Sequence, residues 1–176
     1  MPASIFMNGL AAAVATLGVA AASFVGMSGD AYDGGALTRL TDAEAASHAQ
    51  AVFLRSDRNG DGALDVNEYA ALSVVTAELA NLNGFLAIEQ ADKIAAIALP
   101  VAAPSALGDS EQTRIDAVAR STFYAFSGAD GKMQQGEYLV LQRTIFTSSD
   151  LNANGYLTNG ELSIYAQRQA YLRPEA

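Results

Sequence analysis

The chain of 176 residues contains no cysteine, a single histidine and few basic residues. Without cysteine it can form no disulfide, no thiolate zinc site and no cysteine nucleophile. Lysine and arginine number 10 against 19 acidic residues, which gives a formal net charge of −9. Because nucleic acids are polyanions that bind basic surfaces, this charge balance argues against a nucleic acid as partner.

Signatures of catalysis are missing as well. His48 has no nucleophile motif beside it, and we expect it on the surface of a helix or partly packed. Ser73, Ser121 and Ser163 fall in helical stretches and lack the strand–turn–helix setting of a nucleophilic serine. No glycine-rich phosphate-binding loop is present either. The sequence therefore predicts a protein that is not an enzyme.

One pattern of oxygen-bearing residues is complete at 57–68 and again at 150–161. A calcium-binding loop of this kind needs oxygen side chains at positions 1, 3, 5 and 12 and glycine at position 6. In the first segment these positions hold Asp57, Asn59, Asp61, Glu68 and Gly62. In the second they hold Asp150, Asn152, Asn154, Glu161 and Gly155. A single chance match has a probability on the order of 10⁻³, so two matches indicate real loops.

The remaining positions also fit. Position 7 supplies a backbone carbonyl, here from Ala63 and Tyr156, and position 9 acts through a bridging water, here from Asp65 and Thr158. Ca²⁺ takes six to eight oxygens, and a terminal glutamate that gives two of them favours it over Mg²⁺. We therefore predict two Ca²⁺ sites. The first loop has four carboxylates against two in the second, so it should bind more tightly.

Both segments resemble loops of the EF-hand calcium-binding superfamily, in which a helix, a twelve-residue loop and a second helix form one unit. Phe53 and Phe146 lie four residues before their loops, at core-facing positions of the incoming helices. Leu64 and Leu157 occupy position 8, where loops of this family pair through a short two-stranded bridge. The resemblance covers about residues 42–172. It implies an all-α fold of two EF-hand-like helix–loop–helix pairs, preceded by an apolar N-terminal helix.

Because such loops usually come in pairs, each complete loop should have a neighbour. Residues 79–90 keep asparagine at positions 3 and 5 and glycine at 6, but lack the acids at 1 and 12. An ordinary helix–turn–helix joint accounts for them equally well. Residues 127–137 retain Asp130, Gly131 and Glu137 and are one residue short. We expect both segments to be degenerate loops that hold Ca²⁺ poorly or not at all.

The close spacing of the loops resembles the compact paired loops of many bacterial proteins. Residues 42–99 form the first predicted pair, with its complete loop first, and 110–172 form the second, with its complete loop last. Prolines and a glycine mark 100–109 as the linker between them, and 30–41 is the linker that precedes them. The predicted helices span about 42–56, 67–78, 110–126, 137–149 and 161–172.

Residues 1–29 carry no charged side chain, and 10–27 are apolar or small throughout. Three interpretations stay open: a secretory signal that lacks the usual basic residues, a membrane-spanning helix of barely sufficient length, and a docking helix. We favour a retained anchor or docking helix, with membrane contact through residues 10–27. Because no lysine or arginine precedes Arg39, we expect the loops outside the cytoplasm, in the periplasm or anchored to the membrane.

The functional prediction is a calcium-binding protein of the bacterial envelope that holds two Ca²⁺ ions as a sensor or a buffer. The alternative is a calcium-stabilised accessory or structural subunit of a membrane protein assembly. Its partners, besides Ca²⁺, would be a protein target or a membrane protein complex.

Overall fold

A computed structural model of the chain describes residues 35–90, 93–101 and 103–172. These residues belong to one compact unit. The apolar segment 1–29 and the start of the 30–41 linker lie outside them, so the interpretations of that region stay predictions. Within the described ranges, no helix is both long enough and apolar enough to cross a membrane.

Five helices and six short strands make up the described part of the chain. The helices are α1 (Asp42–Ser56), α2 (Val66–Asn83), α3 (Asp109–Phe126), α4 (Gln135–Ser149) and α5 (Asn159–Gln169). The strands are β1 (Arg39–Thr41), β2 (Ala63–Leu64), β3 (Phe85–Glu89), β4 (Ile94–Ala98), β5 (Met133–Gln134) and β6 (Tyr156–Thr158). They form three two-stranded antiparallel sheets, β1 with β6, β2 with β5 and β3 with β4.

The expectation of an all-α fold is wrong, because the chain forms these three sheets in addition to its helices. The largest departure is the hairpin β3–β4, in which every residue of both strands is paired. Its side chains alternate between more and less buried positions, with Leu86 and Ile88 buried on β3. A period of two residues is the signature of a strand, and the helical prediction overlooks it.

The segment 79–90 is neither a degenerate loop nor a helix–turn–helix joint. Helix α2 continues to Asn83 and ends at Gly84, whose φ of 73° is the left-handed conformation that glycine adopts without strain. The chain then enters β3 directly. The asparagines and glycine that resemble a binding loop are therefore the last turn of a helix and its cap.

Four of the five helices begin in the same way, after a short strand. The residue before each helix donates its backbone N–H to a glutamate carboxylate three residues ahead, which fixes the first turn. These pairs are Thr41–Glu44, Asp65–Glu68, Gln134–Glu137 and Thr158–Glu161, with N–O distances of 2.8, 2.9, 2.8 and 3.2 Å. β1 and the start of α1 therefore repeat the strand and the capping glutamate that form the second half of each loop. Together with the two complete loops and the 127–137 segment, this makes four copies of that half-loop. The sequence pattern does not reveal the copy at β1.

The short strands pair these four copies differently from the prediction. In β2–β5, Leu64 of the first complete loop pairs with Met133 of the 127–137 segment. In β1–β6, Leu157 of the second complete loop pairs with Leu40. All four side chains are fully buried. A bridge at position 8 is therefore present in both complete loops, but neither pairs with the neighbour predicted for it.

Two hydrophobic clusters fill the space between the elements. Phe53 and Phe146 are buried, which confirms their prediction as core residues, and Phe123, four residues before the 127–137 segment, is buried as well. The apolar spacing of the helices at 42–56 and 110–126 also predicts core positions for Ala46 and Val118, but this is wrong, because both side chains are exposed. The buried face of α1 is formed by Ala45, Ala49, Phe53 and Ser56.

His48 joins α1 to the hairpin. Its Nδ1 accepts a hydrogen bond of 3.1 Å from the backbone N–H of Glu89, so the neutral ring carries its proton on Nε2. Close by, Arg55 forms an ion pair of 2.7 Å with the Glu89 carboxylate. The imidazole is half-buried, as predicted, and burial lowers its pKa from 6.5 to about 4.

We expect the protein to lose stability as the pH falls from about 7 towards 4, in part through His48. In the unfolded chain this imidazole binds a proton near pH 6.5, whereas in the folded protein it does so only near pH 4. Between these values the unfolded state therefore binds more protons and is favoured. The contribution of His48 to this loss of unfolding free energy, measured by urea denaturation, should be at most about 3 kcal/mol across this window.

The matched variant His48→Gln removes the ionisable group from this position. Its unfolding free energy should depend less steeply on pH in the same window than that of the parent protein. If the unfolding free energies of the two proteins change equally with pH, the pKa of His48 is not lowered in the folded state.

Candidate metal centre

The first complete loop, residues 57–68, folds its backbone around the Asp57 carboxylate. Oδ1 of Asp57 accepts hydrogen bonds from the backbone N–H groups of Gly60 and Asp61, at 2.8 and 3.2 Å. Its Oδ2 accepts a third from Gly62, at 2.8 Å. The first residue of the pattern therefore lies at the centre of the turn that follows it.

The next positions of this loop are held in a similar way. Oδ1 of Asn59 accepts a hydrogen bond of 2.8 Å from the N–H of Asp61, and Oδ1 of Asp61 accepts one of 3.1 Å from the N–H of Ala63. Oδ1 of Asp65 accepts from the N–H groups two and three residues ahead, at 2.7 and 2.9 Å, and so caps α2. All predicted ligand positions of this loop are thus part of one hydrogen-bonded turn.

The second complete loop repeats most of these contacts at the same positions. The Asp150 carboxylate accepts hydrogen bonds from the N–H groups of Asn154 and Gly155, at 3.1 and 2.9 Å. Oδ1 of Asn152 accepts from the N–H of Asn154 at 3.1 Å, and Oδ1 of Asn154 accepts from the N–H of Tyr156 at 3.0 Å. Two segments that share few residues outside the pattern therefore adopt similar arrangements, without the position-4 contact and the side-chain cap of the first loop.

The terminal glutamate of each loop joins the two ends of that loop. Oε1 of Glu68 accepts hydrogen bonds from the N–H groups of Arg58 and Asn59, at 3.0 and 3.3 Å, while Oε2 accepts the N–H of Asp65. Glu161 makes the corresponding contacts in its own loop and is buried. Each glutamate therefore already lies against the residues at positions 2 and 3 of its loop.

Both loops need a left-handed backbone at two positions. At position 6, Gly62 and Gly155 have φ angles of 85° and 82°, which glycine adopts without a steric penalty. At position 4, the first loop has Gly60 with φ of 72°, whereas the second has Ala153 with φ of 56°. The second loop therefore holds a strained alanine where the first has a glycine.

Lys132, from another segment of the chain, contacts a predicted ligand of the first loop. Nζ of Lys132 lies 2.5 Å from Oδ2 of Asp61, and the β2–β5 pairing brings the two segments together. Hydrogen bonding to this ammonium holds the pKa of the Asp61 carboxyl below its usual range. Lys132 is a functional candidate that the sequence pattern misses, and its only signal there is its place directly before Met133, the bridge residue.

The 127–137 segment has the backbone hydrogen bonding of a loop but fewer possible ligands. The N–H of Ser127 donates to the carbonyl four residues before it at 2.7 Å, as the first residue of each complete loop also does. A Cβ at Gly128 would lie 3.0 Å from Oε1 of Glu137 and 3.3 Å from Oδ1 of Asp130, so these carboxylates occupy the shortened turn. Because Ser127 replaces the acid at position 1, we expect this segment to hold Ca²⁺ poorly.

The donor atoms of the complete loops suit a hard cation. They are carboxylate, amide and backbone carbonyl oxygens, which match Ca²⁺ and not Zn²⁺. In the described part of the chain, however, no three carboxylate or imidazole groups converge on one point. Asp61 is bound to Lys132, and the second loop has only two carboxylates. The loops therefore fit Ca²⁺ by donor chemistry, and an ion would have to draw some of the ligands inward.

Comparisons with protein-family models, with curated proteins and with solved structures found no match to this chain.

Ala153→Gly should stabilise the protein, because glycine adopts a φ of 56° without the steric cost that alanine bears. We expect the free energy of unfolding, measured in urea, to rise by up to about 1 kcal/mol. Ala129→Gly is the matched control, since Ala129 is an exposed loop alanine without a left-handed backbone. Ala129→Gly should be neutral or destabilising. The same result for Ala153→Gly would contradict the claim that the backbone of Ala153 is strained.

Proposed function

We propose that this protein binds two Ca²⁺ ions, one in the loop 57–68 and one in the loop 150–161, and that the ions stabilise its fold. In this proposal it is a calcium-binding protein of the EF-hand type, with two complete loops and one degenerate loop at 127–137.

The repeated hydrogen bonding of the two complete loops is the observation that carries this proposal. At positions 1, 3, 5 and 12, side-chain oxygens accept hydrogen bonds from the backbone N–H groups of their own loop. Each of these oxygens has a further lone pair that a cation can use. The hydrogen bonds also order the ligands before an ion arrives, which lowers the entropic cost of binding.

The expected ligands follow the pattern in both loops. In the first loop they are the side chains of Asp57, Asn59, Asp61 and Glu68, the carbonyl of Ala63 and, through water, Asp65. In the second they are the side chains of Asp150, Asn152, Asn154 and Glu161, the carbonyl of Tyr156 and, through water, Thr158. The double positive charge of the ion would offset the repulsion among the clustered carboxylates, which is stronger in the first loop.

Stabilisation by the ions agrees better with the geometry than a large rearrangement does. Glu68 and Glu161 already contact the N–H groups near the start of their loops, so α2 and α5 need not rotate far to bring them to an ion. The residues that follow them, Tyr69 and Leu162, are only 3% and 4% exposed. Packing in the core therefore holds the first turn of both helices in place.

Glu68→Gln and Glu161→Gln test the two sites separately. Each substitution keeps the size of the side chain but removes a negative charge and the paired carboxylate oxygens. We expect each to abolish one of two calcium-binding events, or to weaken it by at least about tenfold. Isothermal titration calorimetry of the full chain measures the number of events and their affinities.

Glu44→Gln is the matched control for both variants. Glu44 accepts the N–H of Thr41 at the start of α1, as Glu68 and Glu161 do at their helices, but it lies outside the two complete loops. It should leave both binding events intact. If Glu68→Gln and Glu161→Gln also retain both events, the two loops are not the calcium sites.

Lys132→Met should raise the Ca²⁺ affinity of the first loop, because it removes a cation that competes for Asp61. Both side chains are exposed, so we expect a change of about two- to fivefold that shrinks as salt is added. Lys93→Met replaces the only other lysine and should leave the affinity unchanged. Equal affinities for Lys132→Met and the parent protein would show that this ion pair does not oppose binding.

A further inference from the structure

A cavity of about 320 Å³ lies among the helices, lined by members of both hydrophobic clusters. All five helices and β3 contribute side chains to its wall, and none of these side chains is a predicted calcium ligand. Its volume falls in the range of about 300–1,000 Å³ that is typical of sites for small molecules. An α-helix, with a diameter of about 10 Å, would not fit inside it.

The wall of the cavity is mostly apolar. Its aliphatic side chains include Val52, Leu72, Leu86, Ile88, Leu141 and Ile145. No acidic residue is among the described residues that line it. A wall that is mostly apolar by area, with a few polar groups, is typical of sites for small apolar molecules.

Four tyrosines line the cavity, and the hydroxyls of three of them have partners. Tyr69 and Tyr171 share a hydrogen bond of 3.3 Å, and Tyr165 accepts one of 3.1 Å from Gln169. The hydroxyl of Tyr138 has no hydrogen-bond partner within the described ranges, although this residue is only 3% exposed. Burial raises the pKa of Tyr138, so the hydroxyl stays protonated and can donate. The hydroxyl is not fully enclosed by protein, so it can donate to an acceptor in the cavity.

His48 supplies a second donor to the same cavity. Its Nδ1 is bound to the hairpin, so the proton is on Nε2, and this N–H has no partner among the residues that the structure describes. Burial lowers the pKa of His48 to about 4, so the ring is neutral at pH 7. The one charged side chain in the described wall, Arg168, is exposed and bonded to Ser148. The interior of the cavity is therefore uncharged.

We propose that this cavity binds a neutral, mostly apolar small molecule whose oxygen accepts hydrogen bonds from the Tyr138 hydroxyl and the His48 Nε2–H. The aliphatic wall supplies the binding energy, and the two donors orient the oxygen. This site is separate from the calcium loops and does not depend on the calcium proposal.

The fluorescent ketone prodan is a suitable probe, because it is neutral and apolar and has one carbonyl oxygen. Titration of the full chain should show saturable binding of one prodan per chain, with its emission shifted to shorter wavelength as it leaves water. Absence of saturable binding would mean that the cavity holds only water and would overturn the proposal.

Val118→Trp tests whether the probe occupies this cavity. Val118 lines the cavity and is 41% exposed, so it lies at the opening, and a larger side chain there should block entry. We expect binding of prodan to weaken by at least about tenfold. Val140→Trp is the matched control, since Val140 is an exposed helical valine away from the cavity, and it should bind prodan as the parent does.

Tyr138→Phe tests the hydrogen bond with little change in shape. It should weaken binding of prodan by about three- to tenfold, whereas Tyr124→Phe, at an exposed tyrosine outside the cavity, should have no effect. Circular dichroism confirms that each variant is folded. If neither Val118→Trp nor Tyr138→Phe alters binding, the probe sits elsewhere and the proposal is wrong.

Discussion

The glutamate at the end of each loop makes the contact on which the rest of the structure depends. Its Oε2 accepts the N–H of the residue before the helix and so starts α2, α4 and α5. In the two complete loops, Oε1 also reaches back to the beginning of the loop. One carboxylate thus closes the loop, sets the direction of the outgoing helix and holds the short strand between them in place for pairing. In our proposal, Ca²⁺ strengthens a closure that hydrogen bonds have already made.

The helices can be predicted from the sequence because local signals agree with packing there. The capping pair Thr41–Glu44 and the apolar spacing that ends in Phe53 both indicate α1. The hairpin is harder, because residues 85–98 are mainly alanine, leucine and isoleucine, which suit a helix as well as a strand, and their alternation is short. The β1–β6 and β2–β5 pairings depend on contacts between distant segments, which local spacing does not encode.

The complete loops are predictable position by position because each role requires one residue type at a fixed spacing. Asp57, Gly62 and Glu68 all lie in the hydrogen-bonded turn that the pattern implies. Lys132 is not predictable, since only the pairing of two distant strands brings it to Asp61. The fourth copy, at β1 and α1, shares the capping glutamate with the loops, so a search for a full set of oxygen ligands passes over it.

The amide NMR signals of Gly62 and Gly155 give the most direct test of calcium binding at both loops. Their N–H groups donate to Asp57 and Asp150, at 2.8 and 2.9 Å, so an ion that draws on these carboxylates must change both hydrogen bonds. In a calcium titration of the ¹⁵N-labelled full chain, both signals should shift and then saturate. The signal of Gly84, the left-handed cap of α2, should stay in place. Unmoved signals from Gly62 and Gly155 at saturating Ca²⁺ would contradict the account.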